Sequence, residues 1–61
     1  MNPYPYRIVC YSPLADGTLD YLCTEPGYYQ TAEQAEGWAV PLRQRQPQFR
    51  FVVERPGRMA P

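Results

Sequence analysis

Asp16-Gly17 constrains the fold of this chain more than any other pair of residues in it. An Asp-Gly pair between apolar stretches favours a two-residue type I′ hairpin loop, because both loop positions need positive φ. With those two residues as the loop, Ala15 pairs with Thr18 and paired residue numbers sum to 33 along the ladder. Cys10 then stands directly opposite Cys23. The pleat places Tyr6, Ile8, Cys10, Leu14, Leu19, Tyr21 and Cys23 on one inward face. Pro13 strains this register, because it falls in a hydrogen-bonded pair and has no N–H to give. Either the ladder breaks at Pro13, or a bulge shifts the turn and lengthens the loop.

Around the hairpin, the pattern predicts a first strand from Tyr4 to about Ser12 and a second from Leu19 to Thr24. Glu25-Pro26-Gly27 closes the second strand with a turn. Thr31-Ala32-Glu33-Gln34 matches a capping box, in which Thr31 accepts from the Gln34 N–H and Gln34 reaches back. Ala32, Ala35, Trp38, Ala39 and Leu42 then recur at helical spacing. In this reading the small alanines let the helix approach a sheet while Trp38 fills the gap. Pro41 either stops the helix near Val40 or kinks it on its way to Arg45; Pro47 ends it in any case. Phe49 to Glu54 alternates as a third strand. The expected fold class is α+β, with element order β-β-α-β. Its three-stranded antiparallel sheet has order 2-1-3, with a right-handed crossover and one helix on one face. Residues 1–55 make the single domain and residues 56–61 a flexible tail. The expected core gathers Ile8, Cys10, Tyr21, Cys23, Phe49, Phe51 and Val53 under Trp38.

A chain of 61 residues buries only about 60% of its unfolded surface, so 15% aromatic residues help to fill a thin core. Mean hydropathy of −0.58 and 20% charged residues suit a soluble globular chain. No apolar run approaches the roughly 20 residues of a membrane span, and the N-terminus lacks a signal-peptide pattern. The expected location is therefore cytoplasmic, with no membrane partner. Net charge is zero but divided: residues 1–36 carry −4 and residues 37–61 carry +4. Such asymmetry orients a docking partner or a second copy of the chain.

Catalytic chemistry has little to work with, and the expectation is no enzyme, no cofactor and no metal. The chain has no histidine, the usual base at neutral pH, and no lysine. Two cysteines cannot complete a four-ligand zinc site, and Cys10-x12-Cys23 is not a redox C-x-x-C. They read as buried reduced thiols, with a cross-strand disulfide as the alternative. Ser12 is the only serine, and the glycines at 17, 27, 37 and 57 form no phosphate cradle.

Six tyrosines and six arginines supply the residue types enriched at binding hot spots. The sheet face turned away from the helix is expected to carry Arg7, Val9, Tyr11, Leu22, Thr24, Arg50, Val52 and Glu54. Nothing of the chain is left to cover it. An open, half-apolar face points to a protein partner bound through Arg7, Tyr11 and Arg50, with Arg43 and Arg45 beyond the helix as a second patch. Two alternatives stand beside it. One is a nucleic-acid-binding module stacking bases on tyrosine and arginine, which zero net charge disfavours. The other is a homodimer sealing its own open face.

The lysine-free hairpin, followed by Thr31-Ala32-Glu33-Gln34-Ala35-Glu36-Gly37-Trp38-Ala39 and one more strand, resembles the small accessory proteins of bacteriophages and mobile elements. Anti-CRISPR inhibitors are among them. The resemblance lies in architecture and carries over no functional residue. It implies an inhibitor that occupies a surface on a larger host protein.

Overall fold

Leu14 donates its N–H to the Thr18 carbonyl at 2.8 Å, so the hairpin closes around three residues rather than two. The Gly17 N–H returns to the Leu14 carbonyl at 3.0 Å, and Gly17 takes φ of 90°. Among the described residues no non-glycine has positive φ, so Asp16 does not occupy the conformation a type I′ turn requires. The loop is instead a tight turn followed by a left-handed glycine, the usual three-residue solution. Asp16 Oδ1 fastens it by accepting from the Thr18 N–H at 3.0 Å and the Thr18 hydroxyl at 2.7 Å. Those bonds favour the ionised carboxyl and hold it below the ordinary aspartate range.

The computed structural model describes residues 4–55. Within them run β1 (Arg7–Pro13), β2 (Leu19–Thr24), α1 (Ala32–Arg45) and β3 (Arg50–Glu54). The strands form one antiparallel sheet of order β2-β1-β3, the α+β arrangement expected from the sequence. The tail assigned to residues 56–61 lies outside the described residues.

Near Cys10 the β1–β2 pairing follows the expected sum of 33, with Val9 opposite Thr24 and Cys10 opposite Cys23. Beyond a register shift the sum falls to 32, pairing Tyr11 with Tyr21, Ser12 with Asp20 and Pro13 with Leu19. Leu22 is the extra residue of the resulting β-bulge. The shift answers the difficulty posed by Pro13. Leu14–Thr18 is a hydrogen-bonded pair, so alternation makes Pro13–Leu19 a non-hydrogen-bonded one. The missing N–H of Pro13 therefore costs β2 no ladder bond. The shift also turns residues 19–21 over relative to the expectation. Tyr21 leaves the inward face and stands against Tyr11, their rings edge to face with centroids 6.3 Å apart. Leu14 and Leu19 are likewise exposed rather than core residues.

Thr31 caps α1 from an extended conformation, its hydroxyl accepting from the Gln34 N–H at 3.1 Å. Gln34 reaches back one residue further than a capping box predicts, to the Gln30 N–H at 3.2 Å. The helix continues through Pro41 to Arg45, so the Gly37 carbonyl loses one helical donor. Ala35 and Ala39 are completely buried, and with Ile8, Cys10 and Phe51 they form the core. Tyr6, Tyr29, Leu42, Phe49 and Val53 pack around that centre.

Two expected core residues lie elsewhere. Trp38 is 63% exposed. At about 100° per residue, Trp38 stands about 60° round the helix from Ala35 and about 100° from Ala39, so it lies on the flank of the buried stripe. Cys23 is exposed although it faces Cys10 across the ladder. Its exposure follows from the position of α1, which lies over β3 and β1 and does not reach β2.

Candidate functional site

The outer sheet face brings together three of the residues singled out in the sequence. Tyr11 pairs with Arg50 on β3, and Arg7 pairs with Glu54 two rows away. This face is not bare. Val9 is only 2% exposed, although the helix lies on the other side. Two tyrosines roof it. The Tyr11 hydroxyl donates to the Glu54 carboxylate, and the Tyr21 hydroxyl bonds the Thr24 hydroxyl at 3.0 Å. Both side chains thus lean along the sheet from the Tyr11–Tyr21 row, across the row of Thr24, Val9 and Val52. The expectation of an uncovered face is corrected accordingly. The bond to Glu54 stabilises the protonated phenol and raises the Tyr11 pKa above the ordinary tyrosine range, with burial acting in the same direction. Arg7 is half-buried beside them, its Nε buried without a hydrogen-bond partner. Arg50 is exposed and lines a groove of about 410 Å³ at the end of the sheet together with Arg43, Leu19, Pro47 and Phe49, so two of the expected arginines meet there.

Arg43 and Arg45 belong to the last turn of α1 rather than to a segment beyond it, and they do not form one patch. Arg43 faces β3. Its Nε and Nη2 donate to the outward-facing Phe51 carbonyl at 3.1 and 2.8 Å, while Nη1 meets Glu36 at 2.7 Å. Three of its five N–H groups are thus engaged within the chain, and the side chain stays 40% exposed. Arg45 lies on the other flank, beside Trp38.

That flank holds a groove of about 210 Å³ between α1 and the connection from β2. Trp38, Pro41 and Leu42 form its helix wall, Pro26 and Tyr29 the opposite wall, and Ile8 its floor. Glu25 and Arg45 place one charge of each sign on its rim. The connection is held in place by a two-way bridge: the Tyr6 N–H donates to the Tyr29 carbonyl at 3.1 Å and the Tyr29 N–H to the Tyr6 carbonyl at 2.8 Å. Gly27 turns the chain into it at φ of 110°, and a Cβ there would sit 3.3 Å from the Tyr29 hydroxyl. Only glycine suits both constraints.

Of the residues expected to bind a partner, Arg45 is the one in this groove; Trp38, its most exposed aromatic, was assigned to the core. The signal that identifies Trp38 is the completeness of the Ala35–Ala39–Leu42 stripe without it. Among the described residues no three His, Cys, Asp or Glu side chains gather as a metal site, and no helix is long and apolar enough to cross a membrane. What the fold defines is a small α+β domain carrying an aromatic groove. No protein-family model, no curated protein and no solved structure matches the chain.

Proposed function

We propose that this protein is a non-enzymatic binding module whose protein partner inserts against Trp38 in the groove between α1 and the β2–α1 connection. The observation that carries the reading is a tryptophan 63% exposed on a rigid helix, flanked by two prolines, a tyrosine and an arginine. Tryptophan, tyrosine and arginine dominate the energetics of protein interfaces, and a solvent-exposed indole on an ordered element is already organised for burial. The opposed charges of Glu25 and Arg45 would orient the partner without favouring a polyanion. The resemblance to accessory inhibitors of bacteriophages points the same way. A nucleic-acid role finds less support on the outer sheet, where the Tyr11 hydroxyl is committed to Glu54 and an acidic residue sits among the arginines.

Affinity capture from candidate host cells with the wild-type chain and with Trp38→Ala tests the proposal. One protein should be retained by the wild type and lost with Trp38→Ala, while circular dichroism and thermal melting of the variant stay unchanged. Equal capture by both chains would refute the groove as the binding surface. Recovery of nucleic acid alone, with affinity falling steeply as salt rises, would replace the reading with the nucleic-acid one.

A further inference from the structure

We infer that Cys10 and Cys23 form a thiol–disulfide exchange site, in which exposed Cys23 attacks a small disulfide to form a mixed disulfide and buried Cys10 resolves it into a cross-strand bond. Three observations converge. The two residues are direct partners on adjacent strands, and both thiols are free. The Glu25 N–H donates to the Ile8 carbonyl at 2.9 Å, which makes Ile8–Glu25, and two residues on Cys10–Cys23, hydrogen-bonded pairs. Such pairs hold their Cα atoms about 5.5 Å apart, inside the roughly 4.4–6.8 Å range that a disulfide spans. Finally, one thiol is accessible and its partner is not. Cys23 is exposed because α1 stops short of β2, whereas Cys10 lies in the core.

The fitting oxidant is a low-molecular-weight disulfide such as oxidised glutathione. The exposed Cys23 thiol, which donates a hydrogen bond to Glu25 Oε2 at 3.7 Å, gives up its proton to water. The Cys23 thiolate attacks one glutathione sulfur, the glutathione S–S bond breaks, and the released thiolate takes up a proton. Cys10 then gives up its proton and attacks Cys23 Sγ, expelling the second glutathione, which accepts that proton. Two cysteine thiols are oxidised and one glutathione disulfide is reduced to two thiols. Burial disfavours the Cys10 thiolate, so the second step is the slower one and quickens as pH rises. The product fastens β2, the strand the helix leaves uncovered, to the centre of the sheet.

The experiment incubates the purified full chain with oxidised glutathione and follows intact mass, with Cys10→Ser and Cys23→Ser in parallel. The wild type should pass through a glutathione adduct to a monomer two hydrogens lighter, its Tm higher by about 10 °C or more. Cys10→Ser should stop at the adduct, and Cys23→Ser should react only under denaturing conditions. A wild-type chain that keeps its adduct, gives only intermolecular dimers, or stays unmodified under native conditions would overturn the inference. The wild-type mass alone decides the matter if Cys10→Ser does not fold.

Discussion

Arg43→Ala offers a direct test of how this small domain holds its helix to its sheet. The guanidinium donates twice to the Phe51 carbonyl and once to Glu36, with its side chain 40% exposed and that of Glu36 50% exposed. A hydrogen bond from a charged donor contributes about 1.5–3 kcal/mol when well shielded. Partial access of water lowers the expected loss for the Phe51 contact to about 1–2 kcal/mol. The Glu36 pair is solvated on both sides and should contribute about 0.5 kcal/mol or less. At roughly 0.05–0.15 kcal/mol per residue a domain of 61 residues has about 3–9 kcal/mol in total, so the Arg43 loss is a large share. With a urea m-value near 1 kcal/mol/M, Arg43→Ala should lower the unfolding midpoint by about 1–2 M. Glu36→Gln should lower it by about 0.5 M at most, and added salt should erase that smaller effect. Arg43→Lys should resemble Arg43→Ala, because an ammonium lacks the planar fork that places two donors on one carbonyl. The reasoning fails if Glu36→Gln costs as much as Arg43→Ala, or if Arg43→Ala leaves the midpoint within about 0.3 M of wild type.

Pro13→Thr should change stability by less than about 0.5 kcal/mol, because Pro13 occupies a non-hydrogen-bonded pair. Ser12→Pro, one residue earlier, removes a ladder bond and should cost about 1–3 kcal/mol; denaturant melts in which the two proved equally tolerated would rule out the register. Tyr11 should contribute a component that ionises above the ordinary tyrosine range in an absorbance titration, and Tyr11→Phe should delete it. Because its folded pKa is raised, its stabilising contribution is complete below the ordinary tyrosine range and is lost as pH rises through the elevated value. A titration in which all phenols ionise together would contradict the Tyr11–Glu54 bond.

The parts of the fold legible in the sequence are those governed by local chemistry. Asp16-Gly17 marks the hairpin, and Thr31 marks the start of the helix, because each stabilises backbone within a few residues of itself. The misplaced residues depend on geometry that no local pattern encodes. Pro13 announced a conflict, but the sequence could not choose between a broken ladder and a bulge nine residues away at Leu22. That bulge then decided which face received Tyr21. Trp38 shares the periodicity of the core stripe, yet it stands at the margin of that stripe, whose centre is the fully buried pair Ala35 and Ala39. Of the candidate site, Arg45 and the exposed Arg50 could be read from composition, whereas the tyrosine roof over Val9 required knowing both cross-strand partners.

The contact between Arg43 and Phe51 also determines how the sheet can grow. β3 is an edge strand, and one carbonyl it would offer to an incoming strand, that of Phe51, is already taken by a guanidinium. At the opposite edge, β2 has no helix over it. An incoming strand at β3, by contrast, must displace Arg43 from the Phe51 carbonyl. Propagation into a fibre needs two open edges per molecule, and opening β3 costs this chain the Arg43–Phe51 bonds.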